Sequence, residues 1–134
     1  MESLQSPAAL LARFGLSWIF LLEGVGKLGN YSATIDYMAA NGVSGSLLPL
    51  VILTELGGGL LVALGLFTRV AAVALMGFCL LTALFFHKDF ADPEQMINFN
   101  KNIAIAGGFL ALVAFGGGAW SLDALRRRRR AAQV

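Results

Sequence analysis

Apolar runs at residues 7–22, 47–67, 70–86 and 103–120 divide this chain, and nearly all of its charged residues lie outside them. The hydrocarbon core of a bilayer needs roughly 20 residues of helix to cross it, with ~17–25 tolerated. Each run is therefore sized for one crossing, the first once it is extended through Glu23 to Leu28, the second with Glu55 inside it. Of the 134 residues, 57% are hydrophobic and 13% charged, against roughly 45–50% and 25% in ordinary soluble domains. A soluble domain of this size could not hide so much apolar surface. The sequence thus predicts an all-α integral membrane protein. It forms a four-transmembrane-helix antiparallel bundle in one domain over residues 1–134, with helices at about 7–28, 47–66, 70–86 and 100–120 and a basic tail at 121–134.

Residues 1–6 include Glu2 and no basic residue, and no clean small-residue cleavage site follows, unlike a secretory signal peptide. The first helix is expected to be retained. Cys79 is the one cysteine, which rules out a CxxC motif, an internal disulfide and thiol relay chemistry on this chain alone. Basic residues near helix ends set orientation. An even number of crossings leaves both termini on one side, and the arginine run at 126–130 assigns that side to the cytoplasm. Arg69, in the short turn between helices two and three, falls there too, and so does Arg13 if it snorkels towards the N-terminal face. Lys27, Lys88 and Lys101 are then outside. The arginine run reads as an anchor to anionic membrane lipid.

The first outer loop is patterned. Ser32 is a candidate N-cap, Ile35, Met38 and Ala39 are apolar, and Asn41-Gly42 is a stop, so a short interfacial helix is expected. The turn after helix two is so short that helices two and three must be antiparallel neighbours. Sixteen glycines are present; small residues let membrane helices approach closely, which predicts packing seams and allows a homodimer. Trp120 is placed as an interfacial anchor at the end of helix four.

Inside this apolar frame sits a set of polar groups. Glu23 and Lys27 are four apart, hence on one helix face and in the favourable order. At 1.5 Å per residue, Glu23 lies roughly 8 Å and Glu55 roughly 12 Å inside the outer ends of their helices. His87 closes helix three on that side, and Lys101 with Asn100 and Asn102 opens helix four. Every helix therefore contributes to one outer-leaflet zone. An ionisable group at membrane depth is costly and normally faces the bundle interior. Glu55 has no basic residue within a turn, so its partner must come from another helix, Lys27 or Lys101. The competing reading is structural: a self-neutralising Glu23–Lys27 pair, an interfacial histidine and a capping Asn cluster.

One histidine is too few for bis-histidine haem or a histidine-rich copper site, and the lysines compete with a metal for the carboxylates. No metal or haem is expected. No phosphate loop follows a strand, and no nucleic-acid partner is expected. A laterally open cavity lined by a carboxylate, a lysine, a histidine and amides suits a quinone head group, whose carbonyls need donors and whose reduction needs proton carriers. The same cavity could hold a lipid or a partner's helix.

The stretches ARFGLSWIFLLEGVGKL, LTELGGGLLVALGLFTRVAAVALM and NKNIAIAGGFLALVAFGGGAWSLD, with His87 between the last two, resemble the DoxX family of small four-helix bacterial inner-membrane proteins. The resemblance spans residues 12–123 and is most specific from Glu55 to Arg69. Family positions are then occupied by Gly24, Lys27, Glu55, Gly58, Gly65, Arg69, His87, Asn102, Gly107, Gly108 and Ser121 to Asp123. The resemblance implies a subunit of a quinol oxidase or a thiosulfate:quinone oxidoreductase, or a member of a membrane-associated oxidative-stress complex. No extra soluble domain of the kind a self-sufficient oxidoreductase would need is expected, so independent catalysis is not expected either.

The expectation is therefore a quinone-interacting subunit that works with a redox or stress-related partner. Glu55, His87 and Lys101 would carry the catalytic roles, and Glu23, Lys27, Glu55 and Asn102 would hold the quinone. The alternative is a non-catalytic membrane scaffold or assembly partner whose tail recruits cytoplasmic proteins. A transporter is a weaker third reading, because no pair of broken helices appears in matching positions.

Overall fold

The computed structural model describes residues 2–133 and is helical throughout, with no strand among the described residues. Met1 and Val134, the ends of the expected domain and tail, lie outside them. Four helices are long and apolar enough to cross a membrane: α1 (Glu2–Gly29), α3 (Leu48–Leu64), α4 (Thr68–Phe86) and α5 (Pro93–Phe115). Two short helices lie outside the spans, α2 (Tyr31–Ala40) and α6 (Leu122–Ala131). Large apolar side chains such as Leu11, Trp18, Leu53 and Val70 stand exposed around the bundle. In water this would be an aggregation liability, whereas hydrocarbon makes it the natural outer surface.

Each helix end has a local cause, and several differ from the expected bounds. α1 starts at Glu2, before Pro7, because a proline in the opening turns removes one hydrogen bond near an end that frays in any case. Asn30, not Ser32, stands in the N-cap position of α2, where its side chain donates back to the Gly26 carbonyl and makes no capping bond, and the buried Met38 packs on Leu48 and Ile52 of α3. The helix covers one end of the bundle rather than merely resting in the interface. A single 3-10 turn, Gly45–Leu47, leads into α3. α3 ends at Leu64, where Gly65 takes the left-handed conformation (φ 67°) and Leu66 N–H donates to the Leu61 carbonyl at 2.9 Å, a Schellman closure.

α5 begins at Pro93, well before the expected Asn100. Asp92 accepts from Glu94 N–H, proline occupies the first turn and Glu94 complements the helix dipole. These start signals act beyond the point where hydropathy falls off. The same helix stops at Phe115, short of Trp120, because Gly116 and Gly118 adopt positive φ. The tail is itself a helix, α6, capped by Ser121.

Helix α1 packs mainly on α3 and α4 mainly on α5, with α3 against α4 between the two pairs and only slight contact between α1 and α5. The core is centred on Phe20, Val62, Leu75 and Phe109, where the Phe20 ring lies 5.5 Å from Phe109 and 6.3 Å from Phe78. The glycines divide by role. A Cβ at Gly24 would stand 2.7 Å from the Leu56 side chain, so glycine is what brings α1 against α3 there. At Gly15, Gly26, Gly77 and Gly107 a Cβ would meet nothing, so these are not seams.

The start of α1, the α3–α4 turn, the α5–α6 connection and α6 share one face of the bundle, the terminal face; α2 and the α4–α5 connection share the opposite loop face. Arg13 does not snorkel. It is 1% exposed and inside the protein, donating from Nη1 to the Ala63 carbonyl (3.2 Å) and from Nη2 to the Trp120 carbonyl (2.6 Å). A cation suits the carbonyl-rich end of α3. Asp123 of α6 performs the complementary task for α4: Oδ1 accepts from Phe67 N–H (2.9 Å), and Oδ2 accepts from Thr68 N–H (2.9 Å) and Thr68 Oγ1 (2.8 Å). These bonds hold Phe67 at φ 48°, a conformation that costs roughly 1–2 kcal/mol for a residue with a Cβ.

Partial burial pushes the Asp123 carboxyl up, but the hydrogen bonds from Thr68 and Phe67, helped by Arg127, outweigh it and hold the group below its ordinary value of 3.8. A carboxylate depressed in the folded state stabilises above its unfolded pKa, and that contribution is lost as pH falls through the folded value. Asp123→Ala is therefore expected to cost about 1–2 kcal/mol at neutral pH, read as a lower melting temperature in detergent. Its deficit should shrink below about pH 4, and a deficit that stays constant down to pH 2 would remove the carboxylate from the explanation. Gly65→Ala would place a Cβ against the Arg13 guanidinium and the Ser121 side chain at a positive φ. It should destabilise by at least about 1–2 kcal/mol, against a near-neutral Gly26→Ala measured in the same melts.

Candidate functional site

The close approach at Gly24 sets up the loop face. A Cβ there would lie 3.3 Å from the Glu55 Cβ, so Lys27, a turn further along α1, reaches across to α3. Lys27 Nζ donates to Glu55 Oε1 at 2.9 Å and to Glu23 Oε2 at 3.2 Å. One lysine thus joins two acids, the intrahelical pair expected from their spacing and the interhelical partner that Glu55 required. Glu55 is 3% exposed, whereas the Glu23 side chain is 62% exposed. The strong partner of Lys27 is therefore the buried acid, since a solvent-facing pair at one-turn spacing contributes only tenths of a kcal/mol.

Glu55 Oε2 is buried and has no hydrogen-bond partner. An unsatisfied buried carboxylate oxygen costs of the order of 1–3 kcal/mol or more, and such groups are rare without a role or an additional partner.

The triad lines a cavity of about 890 Å³, whose walls also carry His87, Lys101 and Asn102. All six side chains singled out in the sequence, Glu23, Lys27, Glu55, His87, Lys101 and Asn102, are brought to this one space. They form two groups: the triad on α1 and α3, and His87 with Lys101 and Asn102 on α4 and α5, with no hydrogen bond between the groups among the described residues. Lys101 does not pair with Glu55. It lies near His87, which is held below its ordinary value first by partial burial and then by the Lys101 charge, with the Phe86 backbone opposing. His87 is thus neutral at neutral pH. Asn102 turns its amide nitrogen to the Asn98 carbonyl at 3.0 Å.

Most of the remaining wall is apolar, including Phe20, with Leu50, Leu81 and Phe85, all exposed, on the side between α3 and α4. Those two helices pack closely at Gly58 and Leu75, near their shared turn. The cavity lies further towards the loop face and continues onto the lipid-facing surface. Sequence reasoning missed Tyr37, Thr54, Thr82 and Asn98, which also line it. Thr54 and Thr82 could have been found from Glu55, since both are hydroxyls on the cavity-facing stretches of apolar spans. Tyr37 stacks on Phe86 with ring centroids 5.4 Å apart, a contact between α2 and the end of α4 that no local signal announces. Among the described residues no three His, Cys, Asp or Glu side chains converge.

Comparison with known proteins places this geometry in a family. The DoxX family model matches residues 8–88, which contain the α1–α3 seam, Glu55 and His87. The chain is 44% identical to the inner membrane protein YqjF of Escherichia coli strain K12, over 96% of this chain and 99% of that protein. It is 38% identical to the inner membrane protein YphA of the same organism, over 85% of this chain and 86% of that protein. No solved structure matches it significantly. With four bilayer-length helices, an apolar outer surface and these relatives, the chain is an integral inner-membrane protein and belongs to the DoxX family.

Proposed function

We propose that this protein is a quinone-interacting membrane subunit that takes the head group of an isoprenoid quinone into the loop-face cavity and works with a separate redox protein. The observation that carries the reading is Glu55: fixed through Oε1 by Lys27, buried, and left with a free acceptor at Oε2 beside a cavity of about 890 Å³ that opens towards lipid. Amphipathic ligands with a polar ring and an apolar tail fit such a wall pattern, polar at one end and aliphatic or aromatic at the other. The residues fit the group in both respects it requires, donors for its oxygens and carriers for its protons.

When bound, a quinone supplies the redox chemistry, taking two electrons from the partner protein and two protons to become the quinol. The chain's own residues orient and move protons. Lys27 holds the Glu55 carboxylate in one rotamer, leaving Oε2 to accept or deliver a proton. His87, neutral at neutral pH and next to the loop-face surface, exchanges a second proton with solution. Lys101 offers a donor to a ring oxygen. In this reading the arginine-rich terminal face is cytoplasmic, so protons exchange on the outer side.

The test is extraction and mass spectrometry of isoprenoid quinone from protein purified in mild detergent. Native protein is expected to retain quinone near stoichiometrically and Glu55→Gln to lose most of it while keeping its fold. Absence of quinone from both, with both well folded, would overturn the reading.

One observation favours a structural alternative, in which the protein is a scaffold or assembly partner: Lys27 ties α1 to α3 and so could serve the fold alone. Lys27→Met leaves Glu55 buried without its counter-charge and should cost about 3–5 kcal/mol, whereas Lys27→Met combined with Glu55→Leu should return close to native stability. Full quinone retention by that double variant would assign the triad to the scaffold role.

A further inference from the structure

The terminal face carries a second concave site that the quinone reading does not use. A cavity of about 750 Å³ lies between the start of α4, the end of α5 with its glycine turn, and one side of α6. Three guanidinium-bearing residues line it, Arg69, Arg127 and Arg128, against one carboxylate, Asp123. Both Asp123 oxygens are already engaged by the α4 N-terminus. Among the described residues no arginine lies within salt-bridge distance of any carboxylate. Arg69 gives one N–H to the Ala114 carbonyl at 3.1 Å, which fixes its plane beside Gly116. Arg126 is held on the rim, 4.7 Å over the Phe67 ring. The cavity is therefore a concave surface of net positive charge, three guanidiniums against one carboxylate, and each guanidinium presents the planar donor fork that matches a phosphate.

Its surroundings narrow the ligand further. Phe67 and Phe115, both exposed and Phe115 at 85%, line the cavity beside the arginines where the spans of α4 and α5 begin and end. A free phosphate would satisfy the cations and leave this rim without an occupant. An anionic phospholipid would satisfy both, its phosphate on the arginines and its glycerol and upper acyl chains along the aromatic rim. We propose that this cavity is a specific binding site for the headgroup of an anionic phospholipid, with Arg127 and Arg128 of α6 as its principal phosphate ligands and Arg69 as the third.

The experiment compares two double variants of equal charge. Arg127→Gln/Arg128→Gln removes cavity arginines, and Arg129→Gln/Arg130→Gln removes neighbours that do not line it. Binding of short-chain phosphatidylglycerol to the full chain in neutral detergent is read by native mass spectrometry and by thermal shift. The cavity pair should lose at least roughly 30-fold in affinity and the neighbouring pair less than about fivefold. Equal loss in the two pairs would reduce the site to a diffuse surface field and overturn the proposal. Equal binding of phosphatidylcholine would do the same, as would inorganic phosphate competing at the lipid's own concentration. Arg127→Lys/Arg128→Lys keeps the charge and loses the fork, so it keeps the fold test independent. It should bind phosphatidylglycerol at least a few-fold more weakly than native protein, and unchanged affinity would count against the geometry.

Discussion

Lipid offers no hydrogen bonds, so a polar group that this chain carries into the bilayer is costly unless the protein itself meets it. The structure is organised around two such groups. Arg13 lies towards the terminal face and is met by carbonyls at the end of α3 and in the glycine turn. Glu55 lies towards the loop face and is met by Lys27. A lone charge at the centre of a helix in lipid costs roughly 2.5–3.5 kcal/mol even on the lenient insertion scale, which is enough to fix how the helices are arranged around it. The close contact of α1 with α3 serves both ions: the glycines at 24 and 65 leave the room that one side chain crosses and the other fills.

The two faces consequently differ in character. At the terminal face, hydrogen bonds donated by Arg13 and Arg69 and accepted by Asp123 tie α1 to the end of α3 and the glycine turn, α4 to α5, and α6 to α4. At the loop face the same helices are separated by a cavity, bridged on one side by the triad and roofed by α2. Slight contact between α1 and α5 means that the α1–α3 and α4–α5 pairs are held together mainly through the α3–α4 packing and the terminal-face bonds. A chain with so little material can hold an open cavity because the opposite end is so thoroughly tied.

Much of this was legible in the residues. Hydropathy located the four spans, and the depth of Glu23, Lys27 and Glu55 with the positions of His87, Lys101 and Asn102 pointed to one zone. Hydropathy was a poor guide to helix ends, because it marks where lipid begins rather than where backbone hydrogen bonding stops. The Asp92-Pro93-Glu94 start signal was present in the chain but lies outside the apolar run that drew attention to Asn100. The role of Arg13 could not be read, since its partners are main-chain carbonyls and any residue supplies those. Asp123 caps a helix that starts 55 residues earlier in the chain, and capping rules look only a few residues away. Whether the zone around Glu55 acts on a ligand is a question about chemistry that spacing alone does not answer.

The burial of Arg13 also says something about how the protein comes to be built. Its two acceptors belong to residues 50 and 107 positions further along the chain, so when the first helix emerges neither exists. Until then the guanidinium must stay near water or headgroups, its long side chain stretched to the surface. The buried position of Arg13 is therefore complete only once the end of α3 and the turn after α5 are both in place, so one side chain makes the depth of α1 depend on two distant parts of the chain.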